Sequence, residues 1–202
     1  DSQVAGARAD LQVIYAADTG NRAVRSKLIE VADLMGNRAE ADGLHRAFVI
    51  EDEAGALADP YLKTRAAPAV VADAQAQGAK QRKQAAGKAF QDRYTAYRGR
   101  YLEAVNQNDA LVAAFDAMGS TPQKREDLID LIDELDALYN EFERLQTEAE
   151  SMLAADHSML SAQQEADLVQ GLKSNIASLE EGMVRMLRMR RSAGTSARSI
   201  SS

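Results

Sequence analysis

The sequence predicts an all-α protein: an elongated antiparallel helical bundle with coiled-coil-like packing and a smaller N-terminal helical region. Only 3 of the 202 residues are prolines, and the long stretches between them are rich in residues of high helix propensity. Hydrophobic residues make up 46% of the chain and aromatic residues 5%, a thin core that is typical of helix-on-helix packing. No alternating run of β-branched residues indicates a strand.

The N-terminal region, residues 1–56, is predicted to hold two or three helices. Apolar residues at helical spacing place the first helix over about 3–17 and the second over about 22–36. Gly36 is a typical helix stop, but the apolar pattern resumes directly after it. The sequence therefore leaves open whether residues 22–54 form one kinked helix or two.

A connecting loop over residues 57–67 and a long helix over about 68–118 are predicted next. Proline fits the first turn of a helix, because its missing N–H would have no partner there, so Pro68 marks the start of this helix. The polar residues around Asn108 interrupt its apolar stripe. The pattern leaves open whether the helix breaks at that point.

The best-specified element is an acidic helix over about 122–156. Thr121 is suited to cap this helix and Pro122 to occupy its first position. Apolar residues then follow at alternating spacings of three and four, the signature of knobs-into-holes packing, and further apolar residues on one flank favour a bundle over a two-stranded rod. The two rows of this seam are Leu128, Leu135, Phe142 and Ala149, and Leu131, Leu138, Leu145 and Met152.

A last helix is predicted over about 161–191. Ser161 and Gln164 stand three residues apart before an apolar pattern, which is the arrangement of a capping box. After Arg191 the chain becomes rich in serine, and we expect residues 192–202 to form a mobile tail. Residues 68–191 would form a three-helix antiparallel core from helices over about 68–118, 122–156 and 161–191.

Charge is segregated along the chain. Residues 121–156 contain eleven acidic and three basic residues, a net charge of −8, whereas residues 63–103 contain nine basic and three acidic residues, a net charge of +6. Because only a short connection separates these helices, we expect them to lie antiparallel with opposite charges flanking their apolar seam. The alternative is two solvated faces that keep the protein soluble. With a net charge of −7, the chain is not expected to bind nucleic acid specifically.

Two groups of residues are candidates for contact with a partner. Arginines accumulate at the end of the last helix, where they either suit the negative end of the helix dipole or contact an anionic lipid, a nucleic acid or an acidic protein. Three tyrosines interleave with other arginines, a pattern that can stack nucleobases but also fits an inter-helix core. The candidates are Arg185, Arg188, Arg190 and Arg191, together with Tyr94, Tyr97 and Tyr101.

The sequence offers no residue pattern for catalysis, a metal or a cofactor. Cysteines are absent and the two histidines lack metal-ligand spacing, and neither a phosphate-binding glycine loop nor a nucleophile elbow occurs. We expect His45 at the surface and His157 in a corner between helices, where it caps a helix end. No catalytic, cofactor-binding or metal-binding residue is predicted, and we expect the protein not to be an enzyme.

The heptads, the charge segregation and the lack of such chemistry favour a structural or assembly protein that docks protein partners or copies of itself. Components of bacterial secretion systems, pili and virions have this character. The alternative is a helical ligand-binding or sensory module that holds an anionic small molecule near the tyrosines. The chain begins at Asp1, which favours an exported protein, periplasmic or extracellular, over a cytoplasmic or virion protein.

Overall fold

The computed structural model describes residues 2–65, 67–119 and 123–200. Helix is the only regular secondary structure in these three ranges, which confirms the predicted all-α class. The chain divides into two compact units, Asp1–Ala85 and Ala86–Ser202, and the sixth helix contributes residues to both. The helices are α1 (Ser2–Ala17), α2 (Arg22–Leu34), α3 (Arg38–Glu51), α4 (Glu53–Ala58), α5 (Pro60–Thr64), α6 (Pro68–Met118), α7 (Arg125–Leu153) and α8 (Ala162–Ser199).

In the first unit, α2 and α3 are two separate helices. Gly36 adopts a φ of 73°, the left-handed conformation that glycine enters at little steric cost. The Gly36 N–H then donates to the Asp33 carbonyl at 2.9 Å. The Asn37 N–H donates to the Ala32 carbonyl at 2.9 Å, which completes the closure of α2. Asn37 also begins α3, because its side chain accepts a hydrogen bond from the N–H of Glu40.

The predicted connecting loop over residues 57–67 was wrong for much of its length, because two short helices, α4 and α5, reach into it. Asp52 caps α4 and Asp59 caps α5, each through a side-chain oxygen that accepts the N–H three residues further on. Pro60 occupies the first position of α5. Caps and single helical turns therefore replace the expected irregular segment.

The apolar core of the first unit is thin. Half of its eight buried residues are alanines, which remove little apolar area from water. Phe48 is the largest buried side chain of this core. We therefore expect polar interactions to contribute strongly to the conformation of this unit. The core residues are Ile29, Ala32, Ala41, Phe48, Val49, Ala56, Leu62 and Ala74.

The sixth helix is continuous from Pro68 to Met118 and does not break near Asn108. Asn108 is only 6% exposed and occupies a core position of the helix. An asparagine in a helix interior costs less than about 1 kcal/mol relative to alanine, so the apolar row continues through it. This row is Phe90, Tyr94, Tyr97, Tyr101, Ala104, Asn108, Leu111, Phe115 and Met118.

The seam of α7 organises the second unit, and every residue of its two predicted rows is buried. α8 packs against α7 and runs antiparallel to it: Arg190 forms an ion pair of 2.5 Å with Asp136, whereas Gln146, later in α7, donates a hydrogen bond of 3.2 Å to Glu180, earlier in α8. The two helices approach closely at Gly182, where an added Cβ would lie 2.5 Å from the ring of Phe142. The predicted coiled-coil-like packing is confirmed at this pair.

The basic side of α6 lies against α7 in this unit. Arg93 donates a hydrogen bond of 3.2 Å to Ser151, near the end of α7, and Arg100 forms an ion pair with Glu148. Because α7 follows α6 closely in the chain, these contacts make the two helices antiparallel. Opposite charges do flank their shared apolar contacts, as the charge segregation predicts.

The predicted start can be checked for α8 but not for α7. α7 begins at Arg125, whereas the predicted cap Thr121 and the predicted first residue Pro122 lie outside the described residues. α8 begins as predicted: Ser161 Oγ accepts the Gln164 N–H at 3.3 Å, and the Gln164 side chain accepts the Ser161 N–H at 2.9 Å. The predicted capping box is therefore confirmed.

The predicted end of the last helix at Arg191 was wrong, since α8 continues to Ser199. Ala193 and Ala197 are buried and extend the inner stripe of the helix beyond its methionines. Alanine has the highest helix propensity, and these two positions pack against the core, so the neighbouring serines do not end the helix. Residues 192–199 are helix and not the predicted tail.

Candidate functional site

The three candidate tyrosines lie along one side of α6. Tyr97 is fully buried, and its ring stacks between those of Tyr94 and Tyr101, with centroids 6.3 and 6.2 Å away. Burial raises the pKa of Tyr97 to about 12, an effect that the neighbouring Asn175 side chain partly offsets. Although Asn175 is close, the Tyr97 hydroxyl makes no hydrogen bond of normal geometry with the described residues. Tyr97 is therefore a core residue and offers nothing to a partner.

Tyr94 is the tyrosine that reaches a surface groove. It lines a space of about 320 Å³ between α6 and the start of α8, together with Phe90 and Arg98. Asp167 stands in the same groove and contributes a negative charge. The groove thus combines aromatic surface with one guanidinium and one carboxylate, which suits a small polar ligand with an apolar face.

The four candidate arginines do not share one face of α8. At 3.6 residues per turn, Arg185 and Arg191 point about 120° apart around the helix. Arg185 pairs with Glu181 at 3.6 Å, and Arg190 pairs with Asp136 on α7. Only Arg190 and Arg191 line a common groove.

This basic groove lies between α7 and α8 and has a volume of about 550 Å³. Every charged residue that lines it is an arginine, and its apolar surface includes Leu187, which is 49% exposed. Among the ion pairs of the described residues, none involves Arg191 or Arg198. The groove is lined by Ile132, Leu187, Arg190, Arg191, Gly194, Ala197 and Arg198.

Sequence reasoning missed the pattern that creates this groove. Residues 184, 187, 191, 194 and 198 follow alternating spacings of three and four along the side of α8 that adjoins its buried stripe. We call the exposed Val184, Leu187, Arg191 and Arg198 the outer stripe of α8. Arg198 lies beyond Arg191, the predicted end of the helix, and belongs to the stripe because α8 continues to Ser199.

A second groove lies on the other flank of α7, between α6 and α7, with a volume of about 430 Å³. Its only charged residues are Glu134 and Glu141, one heptad apart. Ala110 and Leu111 contribute apolar surface. We call it the acidic groove. The two flanks of α7 therefore carry grooves of opposite charge.

The first unit contains a buried charged cluster around Arg65 that sequence reasoning also missed. The Arg65 side chain is 2% exposed. Its guanidinium donates to the Asp33 carboxylate at 2.6 and 3.1 Å, to Asp42 at 2.6 Å and to Nδ1 of His45 at 3.1 Å. Tyr61 donates to Asp33 at 2.7 Å. The three residues that accept hydrogen bonds from Arg65 are 20 or more positions away in the chain, so no local sequence pattern predicts these contacts.

The electrostatics of the cluster follow from these contacts. The hydrogen bond from Arg65 holds the pKa of Asp33 below its usual value, although burial opposes this. Burial lowers the pKa of His45, and the charge of Arg65 lowers it further. Burial also raises the pKa of Tyr61 to about 12. Because a guanidinium can only donate, Nδ1 of His45 accepts, and the imidazole is neutral.

The predicted positions of the two histidines had opposite outcomes. His45 is buried rather than at the surface, because Arg65 supplies the partner that its ring needs. His157 lies in the corner after α7, where Nε2 bonds to the Met152 carbonyl at 2.8 Å and so caps that helix end, as predicted. Neither histidine lines the groove beside Tyr94, the basic groove or the acidic groove.

Within residues 2–65, 67–119 and 123–200, no group of three or more His, Cys, Asp or Glu side chains is arranged to hold a metal ion. Across the same part of the chain, no helix has both the length and the apolar character needed to cross a membrane. None of the known protein families, curated proteins or solved structures compared with the chain matches it. The grooves of the second unit, which combine charged and apolar lining residues, are the candidate functional surfaces.

Proposed function

We propose that this protein is a non-enzymatic structural or assembly protein that docks protein partners, or copies of itself, through the outer stripe of α8. The observation that carries this proposal is the exposure of Val184 and Leu187 in line with Arg191 and Arg198. An exposed apolar stripe with a charged continuation is the pattern of a helix that packs against another helix. Arginine is also enriched at protein interfaces.

The charges around the stripe favour a protein partner over a membrane or a nucleic acid. Asp136 pairs with Arg190 beside the groove, and the exposed Asp133 stands on the adjacent helix. An anionic lipid surface or a phosphate backbone would be repelled by these carboxylates and by the acidic chain as a whole. A protein surface can match both signs.

Site-resolved photo-crosslinking in the native host tests this proposal. A photoreactive residue replaces Leu187 in one variant and Leu102 in the other; these leucines are 49% and 50% exposed, and Leu102 lies on α6 away from the stripe. We expect a discrete protein adduct from position 187 and none from position 102. Equal labelling at the two positions, or no adduct at 187, would contradict the proposal.

The groove beside Tyr94 supports a second candidate function, the binding of a small anionic molecule. Arg98 would provide the charge and Tyr94 the stacking surface. We expect a panel of anionic metabolites to contain a compound that raises the melting temperature of the wild type but not of Arg98→Gln. The matched control is Arg188→Gln on α8, which should keep the shift. The absence of any shift in the wild type would argue against this function.

A further inference from the structure

We infer that the second unit associates head to tail with copies of itself, so that the outer stripe of α8 of one copy occupies the acidic groove of the next. This inference rests on the proposed docking function and names its partner as a second copy of the chain. The two surfaces lie on different sides of the same unit, one bordered by α8 and the other by α6. Each copy therefore carries both halves of the contact.

The charges of the two surfaces match in sign and in spacing. Arg191 and Arg198 are one heptad apart on α8, and Glu134 and Glu141 are one heptad apart on α7. Seven helical residues rise about 10.5 Å, so both pairs have the same separation along their helices. When α8 of one copy lies along the groove of another, both arginines can meet a glutamate at the same time.

The apolar parts of the two surfaces also match. Leu187 precedes Arg191 by one helical turn on the outer stripe, and the acidic groove offers Ala110 and Leu111 beside its glutamates. Transfer of Leu187 from water into this groove supplies the favourable free energy, while the arginines select the groove and its orientation. An apolar residue framed by charges is the arrangement of a helix that binds in a groove.

The contact is heterologous, because the stripe and the groove are different surfaces. A two-fold symmetric contact through either surface would bring like charges together, Arg191 towards Arg191 or Glu134 towards Glu134. A heterologous contact leaves one stripe and one groove free at the ends of every open oligomer. Association therefore continues into open chains or closes into rings.

A mixing experiment with the full-length protein tests this inference. The stripe variant carries Arg191→Glu and Arg198→Glu, and the groove variant carries Glu134→Lys and Glu141→Lys. Light scattering and sedimentation velocity should show wild-type species that grow with protein concentration and shrink with added salt, because salt screens the ion pairs. Each variant alone should be a monomer. Their equimolar mixture should associate again, because the intact stripe of one variant meets the intact groove of the other and the reversed charges on the two remaining surfaces are complementary as well.

Two controls support the interpretation. The variant Glu103→Lys with Lys173→Glu reverses exposed charges outside both grooves and should associate like the wild type. Circular dichroism should show that the variants keep the wild-type helix content, and Arg191→Gln with Arg198→Gln serves as the milder stripe variant if Glu disturbs the fold.

Several outcomes would overturn the inference: a wild type that is a monomer at every concentration, variants that associate normally, or a mixture that stays monomeric. A monomeric wild type that still gives a foreign protein adduct from position 187 would refute self-assembly but leave the proposed docking function intact. If the protein self-associates but position 187 gives no adduct, the docking site on α8 is refuted. The head-to-tail inference is then refuted as well.

Discussion

Each of the two units of this protein is stabilised internally by a different kind of interaction. In the second unit, three long helices meet along apolar rows with heptad spacing, and polar groups stay at the edges. In the first unit, short capped helices surround an alanine-rich core and a buried cluster of charges centred on Arg65. An interaction can therefore be predicted from the sequence when its residues recur at regular spacing, whatever it contributes to stability.

The two kinds of interaction also have different energetic character. Burial of an apolar side chain contributes roughly 1.5–3 kcal/mol, and a seam gains from each of its members. A buried ion pair gains little net free energy, because desolvation of the charges offsets their attraction. Removal of one partner of such an ion pair is nevertheless strongly destabilising, because the remaining charge is then buried without an opposite charge beside it. We therefore expect Arg65 to specify how α2, α3 and α5 pack.

The largest effect is expected in the seam of the second unit, from Leu135→Asp. An unpaired carboxylate in this buried position should cost at least about 4 kcal/mol. Hydrogen exchange should show loss of protection in α7 and α8, with protection retained in α2 and α3. The matched control Ile129→Asp changes an exposed residue of the same helix and should shift stability by less than about 1 kcal/mol. An unchanged melting curve for Leu135→Asp would refute the seam.

The corresponding change in the first unit is Arg65→Met. It leaves Asp33 and Asp42 in the cluster without their main cation, and we expect a loss of about 3–5 kcal/mol, seen as lost exchange protection in α2 and α3. Arg38→Met is the matched control, because the Arg38 side chain contacts the same carboxylates but is 59% exposed. It should cost less than about 1 kcal/mol. If Arg65→Met and Arg38→Met lost the same stability, the buried Arg65 would contribute no more to folding than the exposed Arg38.

A pair of glycine substitutions compares packing in the two units. Gly182→Ala places a methyl group 2.5 Å from the rigid ring of Phe142 and should destabilise the protein by about 1–3 kcal/mol. Gly43→Ala in α3 meets no atom within 4 Å and should stabilise it by about 0.5–1 kcal/mol. Urea denaturation of both variants measures the difference. A neutral Gly182→Ala would mean that α7 and α8 are not closely packed there.

The smallest effect concerns pH. Because the pKa of His45 is lowered in the folded protein, the unfolded chain takes up a proton first as pH falls through 6.5. The stability of the first unit should be greatest above pH 6.5 and decline until the pH passes below the folded pKa of His45. Exchange protection in α2 and α3, measured between pH 8 and pH 5, should follow this course. A His45→Gln variant that kept the same decline would contradict the assignment.

Much of the second unit could be predicted from the sequence, because its determinants repeat within one helix. The heptad rows of α7 and the capping box at Ser161 depend on residues three to seven positions apart. The end of α8 was misplaced because the serines near it suggest a tail, whereas Ala193 and Ala197 find a core to pack against. The sequence pattern around Tyr97 is compatible with a binding surface and with a core, and the burial of its side chain in the structure identifies it as a core residue.

Residue types at short, regular spacing were enough to predict the helical class, the seam of α7 and the opposite charges of α6 and α7. Tertiary structure brought Arg65, at the end of α5, to Asp33 of α2 and to Asp42 and His45 of α3, because these segments meet only when the chain folds. It also decided that α7 lies between a basic and an acidic groove. A groove is formed by two helices at once, so its lining cannot be read from either helix alone.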